Sequence, residues 1–97
     1  MTSPARARLR IVLTDHARER ARERFPGYKP ARMADEVRAA FLAGRVGPRK
    51  PHTGGGESGV LYAWTADGER IFALRPGDNC FAVHTVFNTN DEREELS

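Results

Sequence analysis

The dipeptide Asp67-Gly68, in the run VLYAWTADGERIFAL, constrains what this chain can fold into more than any other feature. A two-residue hairpin turn of the type I′ class needs positive φ at both central positions, which this pair tolerates. Its twist also matches that of the flanking strands. The turn predicts a hairpin of VLYAWT (60–65) and RIFAL (70–74), with Ala66 opposite Glu69, Trp64 opposite Ile71 and Tyr62 opposite Ala73. A third β-rich run, CFAVHTVF (80–87), follows the turn RPGDN. If Pro76 to Asn79 form a four-residue loop, Arg75 lies opposite Cys80, Ile71 opposite His84 and Phe72 opposite Val83.

Side chains opposite one another on a ladder share a face. The register therefore gathers Leu61, Ala63, Phe72, Leu74, Phe81, Val83, Thr85 and Phe87 on a core face. Tyr62, Trp64, Ile71, Ala73, Cys80, Ala82 and His84 fall on a more open one. A single β-bulge near Pro76 would reverse this parity for the third strand.

Upstream, LRIVLT (9–14) alternates with Leu9, Ile11 and Leu13 on one side and reads as a strand. Thr14 or Asp15 can cap a helix through HARERARERF, in which Ala17, Ala21 and Phe25 form a narrow apolar stripe before Pro26-Gly27. A second helix is expected over about 31–43. Its apolar face is Met33, Ala34, Val37, Ala40 and Phe41, and Gly44 is placed as its C-cap. The segment 44–59, GRVGPRKPHTGGGESG, reads as a flexible loop. Its TGGGESG lacks the lysine and serine or threonine of a phosphate-binding loop.

The chain of 97 residues is expected to form a single domain. Its core spans 9–88, with a basic arm at 1–8 and an acidic tail at 89–97. The expected fold class is α+β, with an N-terminal strand and two helices packed on a C-terminal antiparallel β-meander. No apolar run reaches membrane-spanning length and no secretory signal pattern follows the basic start, so a cytoplasmic location is expected. The lone Cys80 excludes an internal disulfide and reads as a small buried hydrophobe. Three histidines, His16, His52 and His84, have no metal-site spacing, so neither a metal nor another cofactor is expected.

Charge is divided unevenly along the chain. Residues 1–50 carry 13 Lys+Arg against 5 Asp+Glu, and residues 51–97 carry 3 against 8, which together give the net +3. A basic front half suits a phosphate-rich partner such as RNA. The 14 arginines against 2 lysines also fit a GC-rich coding bias.

Within HARERARER (16–24), His16, Arg20 and Arg24 lie four residues apart on one helical side. Histidine suits acid or base work near neutral pH, and arginine binds phosphate through a planar fork of donors. The same segment also reads as a solvated helix laced by the pairs Asp15–Arg18, Glu19–Arg22 and Arg20–Glu23. On the open face, Tyr62, Trp64 and His84, with Arg75 at one end and Arg49 and Lys50 in the nearby loop, suit unpaired bases and their phosphates. A dimer interface, or a cover supplied by the loop 44–59, would explain the same face.

The pattern H-A-x-x-R-x-x-x-R after a first strand, here His16, Ala17, Arg20 and Arg24, resembles the opening of a family of small bacterial and phage proteins of unknown function. That family is placed in the barnase/EndoU/colicin/RelE-like (BECR) ribonuclease superfamily. LYAWT, RIFAL and FAVHTVF are similar in order and length to its closing meander. The resemblance covers about residues 9–88 and implies a RelE-like fold. It also implies a metal-independent, toxin-type ribonuclease or a degraded relative of one, and so an antitoxin or immunity protein as partner.

The resemblance carries candidate catalytic roles onto His16, Arg20 and Arg24. Thr85 matches a polar residue of the family's last strand, yet the register above puts it on the core face and leaves His84 as its open-face neighbour. The basic insertion and the acidic tail depart from the family pattern. The alternative is a non-catalytic phage or mobile-element accessory protein that binds RNA or a protein partner.

Overall fold

The structure is a computed structural model that describes residues 10–90. The basic arm, Leu9 and residues 91–97 of the expected tail lie outside it. In chain order the elements are β1 (Arg10–Leu13), α1 (Asp15–Arg24), α2 (Arg32–Ala43), β2 (Val46–Gly47), β3 (Leu61–Trp64), β4 (Arg70–Gly77) and β5 (Cys80–Asn88). The fold is a small α+β arrangement of two helices on a five-stranded mixed sheet of order β1-β5-β4-β3-β2. The β1–β5 pair is parallel and the others are antiparallel.

The first hairpin has the expected register, with Trp64 opposite Ile71 and Tyr62 opposite Ala73. Asp67 closes the turn with its side chain. Its Oδ1 accepts from the Thr65 hydroxyl and from the Glu69 amide at 2.9 Å. These two bonds, the Thr65 one first, hold the Asp67 carboxyl below the usual carboxylate range.

The second hairpin corrects the expected register twice. Its turn is Asp78-Asn79 rather than a four-residue loop, with Asn79 at φ 57 and Gly77 paired to Cys80. Pro76 therefore sits inside β4, opposite Phe81. It is tolerated there because β3 ends at Leu61, opposite Leu74, so beyond that point β4 has a single neighbour and needs no second row of donors. Further along, Leu74 pairs with Val83 but Ala73 pairs with Thr85, and His84 is the extra residue of a β-bulge. Beyond the bulge Phe72 faces Val86 and Ile71 faces Phe87, so Thr85 and Phe87 leave the expected core face for the open one.

The core lies between the helices and one face of the sheet. Ala17 and Ala21 of α1 and Met33, Val37 and Ala40 of α2 are buried against Ala63, Phe72, Leu74, Val83 and Val86. Full burial of side chains such as Met33, Val37 and Phe72 contributes about 1.5–3 kcal/mol each. Gly44 ends α2 at φ 75, and its amide and that of Arg45 satisfy the last carbonyls of the helix.

Where β1 stops, α1 takes its place beside β5. The Thr14 amide and hydroxyl both donate to the Val83 carbonyl, at 3.1 and 3.0 Å, and the same hydroxyl accepts from Ala17 N as the helix N-cap. At the other end Arg24 Nη1 donates to the Val86 carbonyl at 2.7 Å, and Asn88 Nδ2 donates to the Arg24 carbonyl. The helix thus covers the edge of β5 that β1 leaves open.

A second pin joins α2 to the first residue of β4. Arg70 donates to Glu36 Oε2 through Nε at 3.2 Å and Nη2 at 2.9 Å, and the Tyr28 hydroxyl donates to Glu36 Oε1. The Arg70 guanidinium also lies over the rings of Tyr28 and Phe25. Burial first, and then the Glu36 carboxylate, push the Tyr28 phenol well above its ordinary range. Asp35 and Glu36 are adjacent and so do not share a helix face, and it is Glu36 that makes these contacts. Among the described residues no helix is long and apolar enough to cross a membrane.

Candidate functional site

A cleft of about 450 Å³ opens on the sheet face away from the buried core. One wall is α1, which presents His16, Arg20 and Arg24. The floor is Tyr62, Ala73, His84, Thr85 and Phe87 from β3, β4 and β5, and the loop supplies Lys50 and Gly55 to Glu57. The i, i+4, i+8 spacing places three α1 side chains in line, and the edge position of the helix turns that line toward the open face while Ala17 and Ala21 enter the core.

Arg20 and Arg24 are held in place without being used up. Arg20 Nη1 lies 2.6 Å from Glu23 Oε2, and Arg24 Nη1 reaches the Val86 carbonyl. Each guanidinium has five N–H donors, so most of its fork stays available for a phosphate. The expected pairs Asp15–Arg18 and Glu19–Arg22 do not form among the described residues, whereas Arg20–Glu23 does. Pairing therefore falls on a cleft arginine rather than on Arg18 and Arg22, which border a different groove with Leu13 and Tyr28.

His84 enters the cleft through the bulge. Its Nε2 is screened from solvent and has no hydrogen-bond partner among the described residues. Burial, and then the positive charge of Arg75, lower the His84 pKa from its ordinary value, against the opposing pull of Glu57. The neutral imidazole is therefore favoured. His16 also acts on His84 electrostatically, as expected of two histidines sharing one cleft.

The loop 44–59 is built rather than loose. It contains β2, which pairs with β3, and Arg45 Nε donates to the Trp64 carbonyl. Lys50 N donates to the Gly55 carbonyl at 2.7 Å, Gly54 N to that of Lys50 at 2.8 Å, and Arg49 Nη1 to that of Gly54 at 3.1 Å. The Glu57 amide donates to the Tyr62 hydroxyl at 3.2 Å. A Cβ on Gly56 would stand 2.5 Å from the Pro48 carbonyl oxygen, a backbone atom that cannot swing aside. Gly56→Ala is accordingly expected to lower stability by about 1–3 kcal/mol, read as a drop in the urea midpoint, because the loop must be displaced to admit the methyl.

The expected site residues are thus sorted by the fold. His16, Arg20, Arg24, His84, Lys50 and Tyr62 come together. Tyr62 is not an open stacking platform, however: it is 3% exposed, with its hydroxyl engaged by Glu57. Trp64 faces a separate groove with Pro51 and His52, because β2 and the loop divide the open face. Arg49 is turned into its own loop, and Arg75 lies beyond the cleft, reaching His84 only through its charge. Cys80 is half-buried beside Gly77, not a core residue.

Thr85, Phe87 and Glu57 line the cleft although the parity of the expected register, or the loop assignment, kept them out of it. One signal was present in the sequence. Unbroken alternation through CFAVHTVF buries the polar Thr85 and exposes the apolar Val86, a conflict that one extra residue removes. Among the described residues no cluster of His, Cys, Asp and Glu could hold a metal ion. Comparison with protein-family models, curated proteins and solved structures found no match to the chain.

Proposed function

We propose that this protein is a metal-independent ribonuclease of the toxin type, related to the BECR/RelE-like enzymes. The observation that carries the reading is the convergence of His16 and His84, distant in sequence, on one cleft lined by Arg20, Arg24 and Lys50. The order strand, helix, helix, meander supports the kinship.

RNA carries its own nucleophile. A base takes the 2′-hydroxyl proton, the 2′-oxygen attacks phosphorus, the bond from phosphorus to the 5′-oxygen breaks, and an acid returns a proton to that oxygen. The products are a 2′,3′-cyclic phosphate and a 5′-hydroxyl. His84, favoured in its neutral form, is the base and His16, across the cleft, the acid. Arg20, Arg24 and Lys50 offset the charge that builds on the phosphorane, and the Thr85 hydroxyl stands beside them. An antitoxin or immunity protein is the partner this reading implies.

The test is incubation of the purified protein with single-stranded RNA in excess EDTA. Cleavage to cyclic-phosphate ends is expected. Intact RNA at every pH, together with salt-sensitive binding, would favour the non-catalytic accessory protein instead.

A further inference from the structure

The same bulge that brings His84 into the cleft also brings Phe87, an aromatic ring the alternation of β5 had assigned to the core. The ring is half-buried in the smaller apolar cluster with Tyr62, Ile71 and Ala73, and it lines the cleft. Two cations attend it. Lys50 Nζ stands 3.9 Å from the ring centroid, and the Arg24 guanidinium carbon 5.5 Å from it.

Arg24 therefore touches both halves of the cleft, the aromatic end and the line of cations that follows His16. A cleft with an aromatic ring at one end and guanidinium groups with two histidines along its side matches the two halves of a nucleotide, a flat base and a phosphate. Tyr62 and Trp64, the other aromatic residues of this face, are respectively buried and in another groove, which leaves Phe87 to meet a base.

We propose that Phe87 is the stacking platform for an unpaired base of single-stranded RNA, and that Lys50, which rests on the ring, moves onto the phosphate when the base takes its place. This rests on the reading of the cleft as an RNA site and names the part of the substrate that the cleft recognises. Paired bases are already stacked on their neighbours, so the platform selects single strands. A ring accepts any base by its π-face, so selection among the four is weak.

The test compares adenosine 3′-monophosphate with ribose 5-phosphate, each titrated against the full chain and followed by calorimetry and NMR. The nucleotide is expected to bind about tenfold or more tightly than the sugar phosphate. Its adenine protons should move upfield and show contacts to the Phe87 ring protons. Phe87→Leu should erase the difference between the two ligands and keep the affinity for ribose 5-phosphate.

Equal affinities in the wild type, no measurable nucleotide binding, or adenine protons without ring-current shifts would overturn the proposal. The NMR observation holds even if the variant fails to fold. Ring-dependent binding without any RNA cleavage would keep the platform and sink the ribonuclease. Cleavage with equal affinities would do the reverse.

Discussion

Replacement of His84 by alanine is expected to lower the rate of RNA cleavage by about two to four orders of magnitude, the usual contribution of a positioned acid or base. His16→Ala should cost a similar factor. The double variant should be little worse than either single one, because an acid and a base in one transition state act as a unit. Both side chains are partly or largely at the surface, so circular dichroism and the urea midpoint should change little.

The pH profile supplies an independent check. A base works only when deprotonated. Because burial and Arg75 lower the His84 pKa, His84 stays deprotonated to a lower pH than an ordinary histidine would. The acidic limb of the wild-type rate should therefore fall below about 6.5, the ordinary histidine value. Arg75→Gln, which removes the second of the three causes that lower the His84 pKa, after burial and ahead of His16, should move that limb upward without abolishing cleavage.

The largest effect on stability is expected from Glu36→Ala. The substitution leaves the Arg70 guanidinium enclosed by the rings of Phe25 and Tyr28 and removes the acceptor of the Tyr28 hydroxyl. The side chains of Glu36 and Arg70 keep only 15% and 17% of their exposure. Breaking such a pair strands a charge away from water, at a cost of about 2–4 kcal/mol. The measurement is the urea midpoint at constant m-value. Asp35→Ala is the matched control. Its pair with Arg38 is 3.5 Å long and Asp35 is 84% exposed, so a change within about 0.5 kcal/mol is expected. A drop for Asp35→Ala equal to that for Glu36→Ala would mean that helix charge, rather than the pin between α2 and β4, is what the substitution removes.

These two experiments probe different degrees of legibility. The Asp67-Gly68 hairpin, the Thr14 cap, the Gly44 cap and the apolar face of α2 were readable because each depends on a few adjacent residues. The alignment of His16, Arg20 and Arg24 was readable for the same reason, since helical period is a local property. The bulge was not, because pairing decides it. Whether β5 contains an extra residue depends on burying Val86 under α1 and on the Asp78-Asn79 turn of its partner strand.

Glu36 was illegible on like grounds, since its partners Tyr28 and Arg70 belong to other segments. The segment 44–59 reads as flexible in the sequence because glycine and proline suppress regular structure. Its order comes from carbonyls and amides that fold back on themselves and from the close approach at Gly56, which only a residue without a side chain allows.

The bulge at His84 also sets what this strand can tolerate as it diverges. Core and cleft draw on the same few positions, and a single supernumerary residue keeps the two allotments apart. Straightening the bulge with every residue kept would restore regular pairing and exchange their tenants: Thr85 and Phe87 would turn toward the helices, and the polar cleft would inherit Val86. Loss of the His84 codon, by contrast, would leave Thr85, Val86 and Phe87 on the faces they already hold, so the strand can shed its extra residue without disturbing the core, and the bulge is expected to last only as long as the cleft needs its histidine.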